Sequence, residues 1–258
     1  MSRLLVVPAA GLGTRLRSTR PKALVHVNGR PMLDHLLDLY APHVEYTVVV
    51  AHPSFAGDVE AWADEAGCCE VVCQPSPTGM LDAILLADSA VSRLRPDSIW
   101  ITWCDQVGVL PATIERLALV SAAEPPPALA FPTVRRAQPY IHFGRDADGR
   151  ITRVLHRREG DEMPGEGESD MGVFAISREA FVRDLHEYAS IVEPGRATGE
   201  RNFLPFIPWL ASRAGVLTFP CTDPREAIGI NTPEELRDVE QWLRQRSGLN
   251  VRPDTPRP

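Results

Sequence analysis

Apolar residues in the first half of the chain recur with the two spacings that are typical of strands and of helices. Strands are predicted over residues 4–7, Tyr46–Ala51, 70–73 and 98–103. Helices are predicted over Met32–Tyr40, 55–65, 81–94 and 112–122. Such alternation is typical of a parallel sheet with helices on both faces. We therefore expect an α/β fold whose ligands bind beyond the carboxyl ends of the strands.

The pattern changes after the proline-rich step at residues 124–127. Strands are predicted over 128–134, 140–143, Ile151–His156, 171–176 and Val216–Pro220, and helices over 178–187, 203–213 and Pro233–Arg246. Residues 146–149 predict a hairpin turn. The acidic, glycine-containing segment 160–170 has no periodicity and predicts a mobile loop.

The two halves together predict one folding unit. We expect a doubly wound, Rossmann-like and mostly parallel α/β sheet with a smaller β-rich lobe inserted into it. The domain is expected to cover residues 1–247, with one half at 1–123 and the other at 124–247. Residues 248–258 are expected to form a disordered tail.

The composition is that of an ordinary globular protein and limits the cellular compartments and structural classes that are expected. Apolar residues make up 44% of the 258 residues and charged residues 24%, and no apolar run approaches the roughly 18 residues of a membrane span. The five cysteines are an odd number and lack the spacing of zinc ligands, so neither a disulfide framework nor a structural zinc site is expected. These features predict a cytoplasmic protein with no membrane partner.

Charge is distributed unevenly along the chain. The formal net charge of −7 argues against a nucleic-acid partner, because proteins that bind nucleic acids neutralise several phosphates with a basic surface. Residues 1–33, in contrast, contain six arginines and lysines and no aspartate or glutamate. This basic segment is therefore expected to hold a small polyanion.

A glycine-containing turn with nearby cations follows the first predicted strand. The residues are AAGLGTRL at 9–16, and PKAL follows at 21–24. The glycines of this turn allow the backbone to approach a phosphate, while Arg15 and Lys22 supply positive charge. A Walker loop would need Gly-Lys followed by Ser or Thr, and a dinucleotide fingerprint would need glycine in place of Leu16. The alternative is a strand-to-helix turn with solvated arginines, but the acid-free context favours phosphate binding.

Polar residues also follow two later strands. Gln74 and Gly79 come after the third strand, where an amide can read the edge of a nucleobase and a glycine permits close backbone approach. Asp105 follows a buried strand, where a hard oxygen ligand suits Mg²⁺. The alternatives are an exposed glutamine at a helix N-terminus and an aspartate that caps the next helix.

These motifs resemble those of the sugar-1-phosphate nucleotidyltransferases, especially of the uridylyltransferase domain that makes UDP-N-acetylglucosamine. The resemblance spans about residues 3–245 and is most specific at 9–24, 74–83, 105 and 229–236. It implies that Arg15 faces the β- and γ-phosphates and that Lys22 faces the α-phosphate, both as catalytic residues. The nucleotide-binding set that it implies is Ala10, Gly11, Gly13, Thr14, Gln74 and Gly79.

The same resemblance assigns residues to the metal and to the sugar. It implies that Asp105 and Asn231 share a Mg²⁺ ion, and that Gly144 and Asp170 contact the sugar, which makes the inserted lobe a sugar-binding lobe. By local pattern, Asn231 or Thr232 could instead cap the last helix, since proline follows them. Departures from the family pattern are Pro8 for Leu, Met80 for Thr, Met171 for Thr, Asp170 for Asn and His156 for Glu. Most of these departures lie in the acceptor half. The resemblance therefore predicts the nucleotide-binding residues better than it predicts the identity of the acceptor.

The resemblance predicts an enzyme of sugar nucleotide biosynthesis. It would join the nucleoside monophosphate of an NTP (UTP, dTTP or CTP) to a sugar 1-phosphate and release pyrophosphate, with Mg²⁺ as cofactor. Two alternatives stay open: a cytidylyltransferase that acts on a phosphoalcohol or phosphonate, and a non-catalytic nucleotide-sensing protein. The hexapeptide-repeat domain of bifunctional relatives is not expected in this chain, and the oligomeric state is open, with a homo-oligomer as one outcome.

Overall fold

An eight-stranded mixed sheet lies at the centre of the fold, within the residues that the computed structural model describes (1–11, 13–16, 18–67 and 69–246). The strands of this part of the chain are β1 (Arg3–Ala9), β2 (His26–Val27), β3 (Arg30–Pro31), β4 (Tyr46–Ala51), β5 (Cys69–Cys73), β6 (Ser98–Thr102), β7 (Leu129–Ala137), β8 (Ile141–Arg145), β9 (Ile151–His156), β10 (Glu166–Asp170), β11 (Val173–Ser177) and β12 (Val216–Pro220). Its α-helices are α1 (Met32–Tyr40), α2 (Ala56–Ala66), α3 (Met80–Leu85), α4 (Asp88–Leu94), α5 (Pro111–Ser121), α6 (His186–Ile191), α7 (Phe206–Ala211) and α8 (Pro233–Arg246).

The order of the strands places a topological switch point beside β1. The sheet runs β10-β7-β11-β6-β1-β4-β5, and β12 joins β7. Strands β5, β4, β1 and β6 are parallel, whereas β11 is antiparallel to β6. From β1 the chain moves outward through β4 and β5, and then returns to β6 on the other side of β1. Open α/β sheets bind ligands at the carboxyl ends of the strands where such a reversal occurs.

Alternate side chains of β1 pack into two apolar cores, one on each face of the sheet. Leu5 and Val7 lie in the core that contains residues of α1, α5 and α8, whereas Leu4 and Val6 lie in the core that contains residues of α3, α4 and α7. All these β1 side chains are fully buried. The uninterrupted apolar run explains the central position of β1, because a strand covered on both faces has no side that faces solvent.

The doubly wound, mostly parallel α/β fold predicted from the sequence is confirmed, and the antiparallel β8–β9 hairpin forms part of the inserted β-rich lobe. The helices differ in detail. The predicted helix over 81–94 is divided into α3 and α4, and the one over 203–213 is shortened to α7. The helix predicted over 178–187 begins with a π-helical turn at Ala180–Leu185 before it continues as α6.

The expectation that residues 160–170 form a mobile loop is wrong for the second half of this segment. Glu166–Asp170 forms β10, which pairs antiparallel with β7. Its sequence, EGESD, contains no apolar side chain, so a hydrophobic pattern cannot reveal it. Backbone pairing stabilises the strand, together with an ion pair in which Arg145 Nη2 lies 2.7 Å from Glu168 Oε1.

The predicted tail at residues 248–258 lies outside the described residues. Among the helices of the described part, none is both long enough and apolar enough to cross a membrane.

Candidate active site

A cleft of about 500 Å³ opens at the switch point, where the turn after β1 faces the end of β6. Predicted site residues that line it are Ala10, Gly11, Arg15, Gln74, Gly79, Asp105, Asp170 and Asn231. Some of them are distant in sequence, since Arg15 and Asn231 are 216 positions apart. The fold therefore gathers in one cleft the motifs that the sequence separates.

The Lys22 ammonium joins the two side chains that were predicted as metal ligands. Its Nζ donates to Asp105 Oδ2 at 2.5 Å and to Asn231 Oδ1 at 2.8 Å. Arg15 Nη2 donates to the same Asn231 oxygen at 3.0 Å. The side chains of Lys22 and Asp105 are only 11% and 12% exposed, so their ion pair is shielded from solvent. Cationic groups and oxygen ligands thus meet within hydrogen-bond distance at the end of β6.

Two glycines make this close approach possible. Gly13 has a φ of +61°, and a Cβ there would lie 2.8 Å from Lys22 Cβ. A Cβ on Gly229 would lie 3.3 Å from Asp105 Oδ2. The Ile230 N–H donates to the Asp105 carbonyl at 3.2 Å and ties the segment before α8 to the end of β6. A side chain at either glycine would push the polar groups apart.

The electrostatic balance at Lys22 favours its charged form. Burial lowers the pKa of the ammonium, whereas the charge of Asp105 and the hydrogen bond to it raise that pKa. Together these effects hold the pKa of Lys22 above its usual value. Cys104, which precedes Asp105, behaves differently. Burial raises the pKa of its thiol to about 12, so this cysteine is a neutral packing residue and not a thiolate nucleophile.

The two residues before α8 have different roles, one in capping the helix and the other in the cleft. Thr232 Oγ1 accepts a hydrogen bond from the Glu235 N–H at 3.3 Å, while Glu235 Oε2 accepts from the N–H groups of Asn231 and Thr232 at 2.8 Å each. This reciprocal arrangement is a capping box. Thr232 therefore caps the helix, and the side-chain oxygen of Asn231 faces Lys22 instead.

The oxygens of Asp105 and Asn231 suit a hard divalent cation. Asp105 Oδ1 is buried and has no hydrogen-bond partner among the described residues. Asp105 does not cap α5, because that helix begins at Pro111 and its N-cap is Leu110. In the described ranges, no group of three or more His, Cys, Asp and Glu side chains could hold a metal. Mg²⁺ commonly takes one or two protein oxygens and completes its shell with water and substrate phosphates, so a small donor set of this kind fits it.

Gln74 and Gly79 lie together beyond the end of β5. Gln74 is 6% exposed, and its Nε2 donates to the Gly79 carbonyl at 3.1 Å, so it is not an exposed glutamine at a helix terminus. Gly79 has a φ of +123°, and a Cβ there would lie 2.5 Å from backbone atoms of Arg201. The Arg201 N–H donates to the Thr78 carbonyl at 2.7 Å, and the Leu81 N–H donates to the Arg201 carbonyl at 3.0 Å. Glycine is therefore required where this turn is fixed to a segment from the second half of the chain.

On the acceptor side, one of the two predicted residues lines the cleft and the other does not. Asp170 lines the cleft, and its Oδ2 accepts a hydrogen bond from the Gly172 N–H at 2.8 Å. Burial raises the pKa of this carboxyl, and the hydrogen bond from Gly172 opposes that rise. Gly144 lies in β8 beneath Arg153, whose Nε would be 2.5 Å from a Cβ at this position. Four predicted residues are not among the described residues that line the cleft, so their contacts with substrate stay predictions: Gly13, Thr14, Lys22 and Gly144. Lys22 lies behind the lining and reaches the cleft through its contacts with Asp105 and Asn231.

Comparison with known families agrees with this geometry. Residues 5–167 match the family of the MobA-like NTP transferase domain, which is more than half of the chain. The protein belongs to the MobA-like NTP transferase family. The end of this match falls in β10, so it includes the turn after β1, the base-side turn and Asp105.

Relatives of this NTP transferase include proteins named bifunctional protein GlmU. The one from Solibacter usitatus is 29% identical over 251 residues, covering 94% of this chain and 52% of the relative. The one from Desulfotalea psychrophila is 27% identical over 256 residues, covering 96% of this chain and 72% of the relative. The chain spans about half the length of most of the curated relatives it matches. The resemblance to the uridylyltransferase domain of these proteins is confirmed.

A solved structure shows the same fold. A Bacillus anthracis protein assigned as a glucose-1-phosphate thymidylyltransferase, solved in complex with a sucrose, superposes on this NTP transferase with a TM-score of 0.73. The match covers 94% of this chain and 96% of that chain at 14% sequence identity. At this identity the likeness concerns the fold alone.

The structure adds cleft residues that the motifs of this NTP transferase did not reveal. They are Arg136, Tyr140, Arg158, Glu200 and Asn202. These side chains come from β7 and from connections in the second half, where no glycine-rich turn marks them. His156, which was noted only as a departure from the family pattern, also lines the cleft, and the Tyr140 ring contacts it edge-on at 5.3 Å.

Proposed function

We propose that this NTP transferase joins the nucleoside monophosphate of an NTP to a sugar 1-phosphate and releases pyrophosphate. The observation that carries the proposal is the cluster of Lys22, Asp105 and Asn231 at the switch point, beside the glycine turn after β1. The relatives named GlmU, and the fold shared with a protein assigned as a glucose-1-phosphate thymidylyltransferase, support a sugar phosphate as the acceptor.

The chemistry is a displacement at phosphorus. An oxygen of the acceptor phosphate forms a bond to the α-phosphorus of the NTP, while the bond from that phosphorus to the oxygen bridging the β-phosphate breaks and its electron pair leaves with pyrophosphate. No protein nucleophile is required, so the side chains act by positioning the phosphates and by offsetting their charge. Lys22, whose raised pKa keeps it cationic, is assigned to the α-phosphate, and Arg15 is assigned to the departing β- and γ-phosphates.

Asp105 and Asn231 are the residues that would hold Mg²⁺. When bound, the ion would supply a Lewis acid that polarises the phosphoryl oxygens. Lys22 holds Asp105 Oδ2 and Asn231 Oδ1 at the same time, so both oxygens are in position before a ligand arrives. The buried Asp105 Oδ1, which has no hydrogen-bond partner in the described part, offers a further oxygen for coordination.

Gln74 and Gly79 are assigned to the nucleobase. The hydrogen bond from Gln74 Nε2 to the Gly79 carbonyl fixes the orientation of the amide, whose Oε1 can then accept from a base N–H. Uracil and thymine present such an N–H at ring N3, and cytosine presents one at its exocyclic amino group. The arrangement is therefore compatible with UTP, dTTP or CTP as the donor.

A cytidylyltransferase that acts on a phosphoalcohol or phosphonate is the second candidate function. Asp170 and His156 line the acceptor side, where the family resemblance leads one to expect an amide and a carboxylate. They change the hydrogen-bonding groups that an acceptor would meet, and this observation favours an acceptor other than N-acetylglucosamine 1-phosphate.

A substrate panel tests the proposal. UTP, dTTP and CTP are each combined with N-acetylglucosamine 1-phosphate, glucose 1-phosphate, a phosphoalcohol and a phosphonate, and pyrophosphate release is measured with Mg²⁺. We expect release with a sugar 1-phosphate, and a loss on the order of 100-fold in the Asp105→Asn variant, which keeps the shape of the side chain. Release only with the phosphoalcohol or phosphonate would select the second candidate. NTP binding without pyrophosphate from any pair would instead indicate a nucleotide sensor.

A further inference from the structure

Arg136 is a cleft residue that forms no salt bridge among the described residues. It lies on β7, is half-buried and lines the cleft, and its Nη2 donates to the Ala227 carbonyl at 3.0 Å. Within the described residues, no ion pair joins Arg136 to an acidic side chain. The next residue, Arg135, differs in this respect, because it is 72% exposed and its Nε lies 3.2 Å from Glu166 Oε1.

Two other arginines of the second half are already paired with carboxylates. Arg145 Nη2 lies 2.7 Å from Glu168 Oε1, and Arg158 Nη2 lies 3.4 Å from Glu200 Oε1. A guanidinium that is fixed by one carbonyl and lacks a carboxylate presents its remaining N–H donors as a rigid fork, which matches the oxygens of a phosphate. Arg136 therefore offers an anion-binding group on the acceptor side of the cleft.

Arg136 lines the same cleft as Asp105, Asn231 and Asp170. Its partner Ala227 and the predicted metal ligand Asn231 are joined by a segment of the chain that cannot exceed about 14 Å even when fully extended. The charge of Arg136 also acts on Asp170. Burial raises the pKa of that carboxyl, and the Gly172 hydrogen bond and the Arg136 charge both oppose the rise. The guanidinium thus acts on the sugar side of the cleft that also holds the predicted metal ligands.

The proposed reaction needs a cation at this place. A phosphate dianion must approach the negatively charged α-phosphate, and the two anions repel each other unless positive charge lies beside each of them. Lys22 and Arg15 lie on the nucleotide side, and the sequence motifs supply no cation for the acceptor. We propose that Arg136 binds the phosphate of the acceptor, an inference that rests on the proposed nucleotidyl transfer.

The neighbouring arginine provides a matched control for the test. Steady-state kinetics are measured for Arg136→Met, Arg136→Lys and Arg135→Met with the NTP and acceptor that the panel identifies. We expect Arg136→Met to lower kcat/KM for the acceptor on the order of 100-fold, while KM for the NTP changes by no more than about threefold. Arg136→Lys should recover part of the loss, because it keeps the charge and not the fork. Arg135→Met should match the wild type.

The outcomes separate the two proposals. Wild-type kcat/KM for the acceptor in Arg136→Met overturns the inference and leaves the proposed function intact. Equal losses for NTP and acceptor in Arg136→Met, without recovery in Arg136→Lys, also overturn it, since a structural role would act on both substrates. If the wild-type protein releases no pyrophosphate with any pair, the proposed function fails and the inference fails with it.

Discussion

Lys22 illustrates how one side chain can serve both stability and chemistry. The ammonium is shielded from most solvent beside Asp105 and Asn231, and Gly13 leaves the space that its stem occupies. Removing one partner of a buried ion pair is more harmful than removing both, because the remaining charge keeps its desolvation cost without an attraction to offset it. The same pair is placed where the α-phosphate is expected to bind. Stability and catalysis should therefore respond together when Lys22 is changed.

Lys22→Met should reduce both properties. We expect kcat for pyrophosphate release to fall about 100-fold or more, because a cation beside the reacting phosphate is lost. The free energy of unfolding, measured by urea denaturation, should fall by about 3 kcal/mol, because Asp105 is left buried without its partner. Adding Asp105→Asn to this variant should restore part of the stability and none of the activity.

The control for Lys22 comes from the same basic segment. Arg30 is half-exposed and pairs with Asp38 at the surface, so Arg30→Met should change the free energy of unfolding by no more than about 1 kcal/mol and leave turnover unchanged. Full turnover in Lys22→Met would contradict the assignment of this residue to the α-phosphate.

At the scale of elements, a buried carboxylate orients the segment that leads to Asn231. Glu226 is fully buried in the 3₁₀ turn Pro224–Ala227. Its Oε2 accepts from the Leu110 N–H at 3.0 Å and from Thr113 Oγ1 at 2.5 Å, and its Oε1 accepts from two further backbone N–H groups, those of Thr222 and Asp223, at 3.1 Å each. The turn before Asn231 is therefore tied to the start of α5.

Glu226→Gln should weaken this connection although it changes few atoms. Both carboxylate oxygens face donors, so an amide NH₂ at either position would meet another donor and leave it unsatisfied. We expect the free energy of unfolding to fall by about 2 to 4 kcal/mol, measured by urea denaturation. Glu234→Gln removes the same charge from an exposed position on α8 and should have little effect. Equal stability of the two variants would show that Glu226 is not a structural anchor.

Strands and helices could be predicted from the sequence where a pattern of apolar side chains determines them. The apolar runs of β1 and β6 identify central strands, because both faces of these strands are covered. Strand β10 has only polar residues and glycine, and backbone pairing with β7 forms it, so no local pattern reveals it. The division between α3 and α4 was missed because apolar positions continue across it. Hydrophobic periodicity indicates which side chains are buried. It gives no signal where backbone hydrogen bonding between strands, or a break within a helix, determines the structure.

At the scale of the whole molecule, the same reasoning explains which site residues could be predicted. The nucleotide side depends on short motifs, such as the glycine turn after β1, and these are visible in the sequence. Arg136 and Glu200 depend on the packing of the second half around the end of β6, which no short motif encodes. The contact of Gly79 with the backbone of Arg201 joins the two halves, and only the folded chain shows it.

Because the cleft joins segments from both halves, an NTP bound with Mg²⁺ should stabilise the entire domain. A ligand that binds only the folded state at about 100 times its Kd adds about 2.7 kcal/mol, which corresponds to a rise in Tm of roughly 5 to 10 °C for a domain of this size. If Asp105 and Asn231 hold the ion, the larger part of the rise in a thermal melt with UTP should require Mg²⁺ and should disappear with EDTA. Asp105→Asn should lose this Mg²⁺-dependent part, whereas Glu234→Gln should keep it. An equal rise in Tm with Mg²⁺ and with EDTA would show that the triphosphate binds without an ion at these residues, and the cations Arg15 and Lys22 would then be sufficient to hold it.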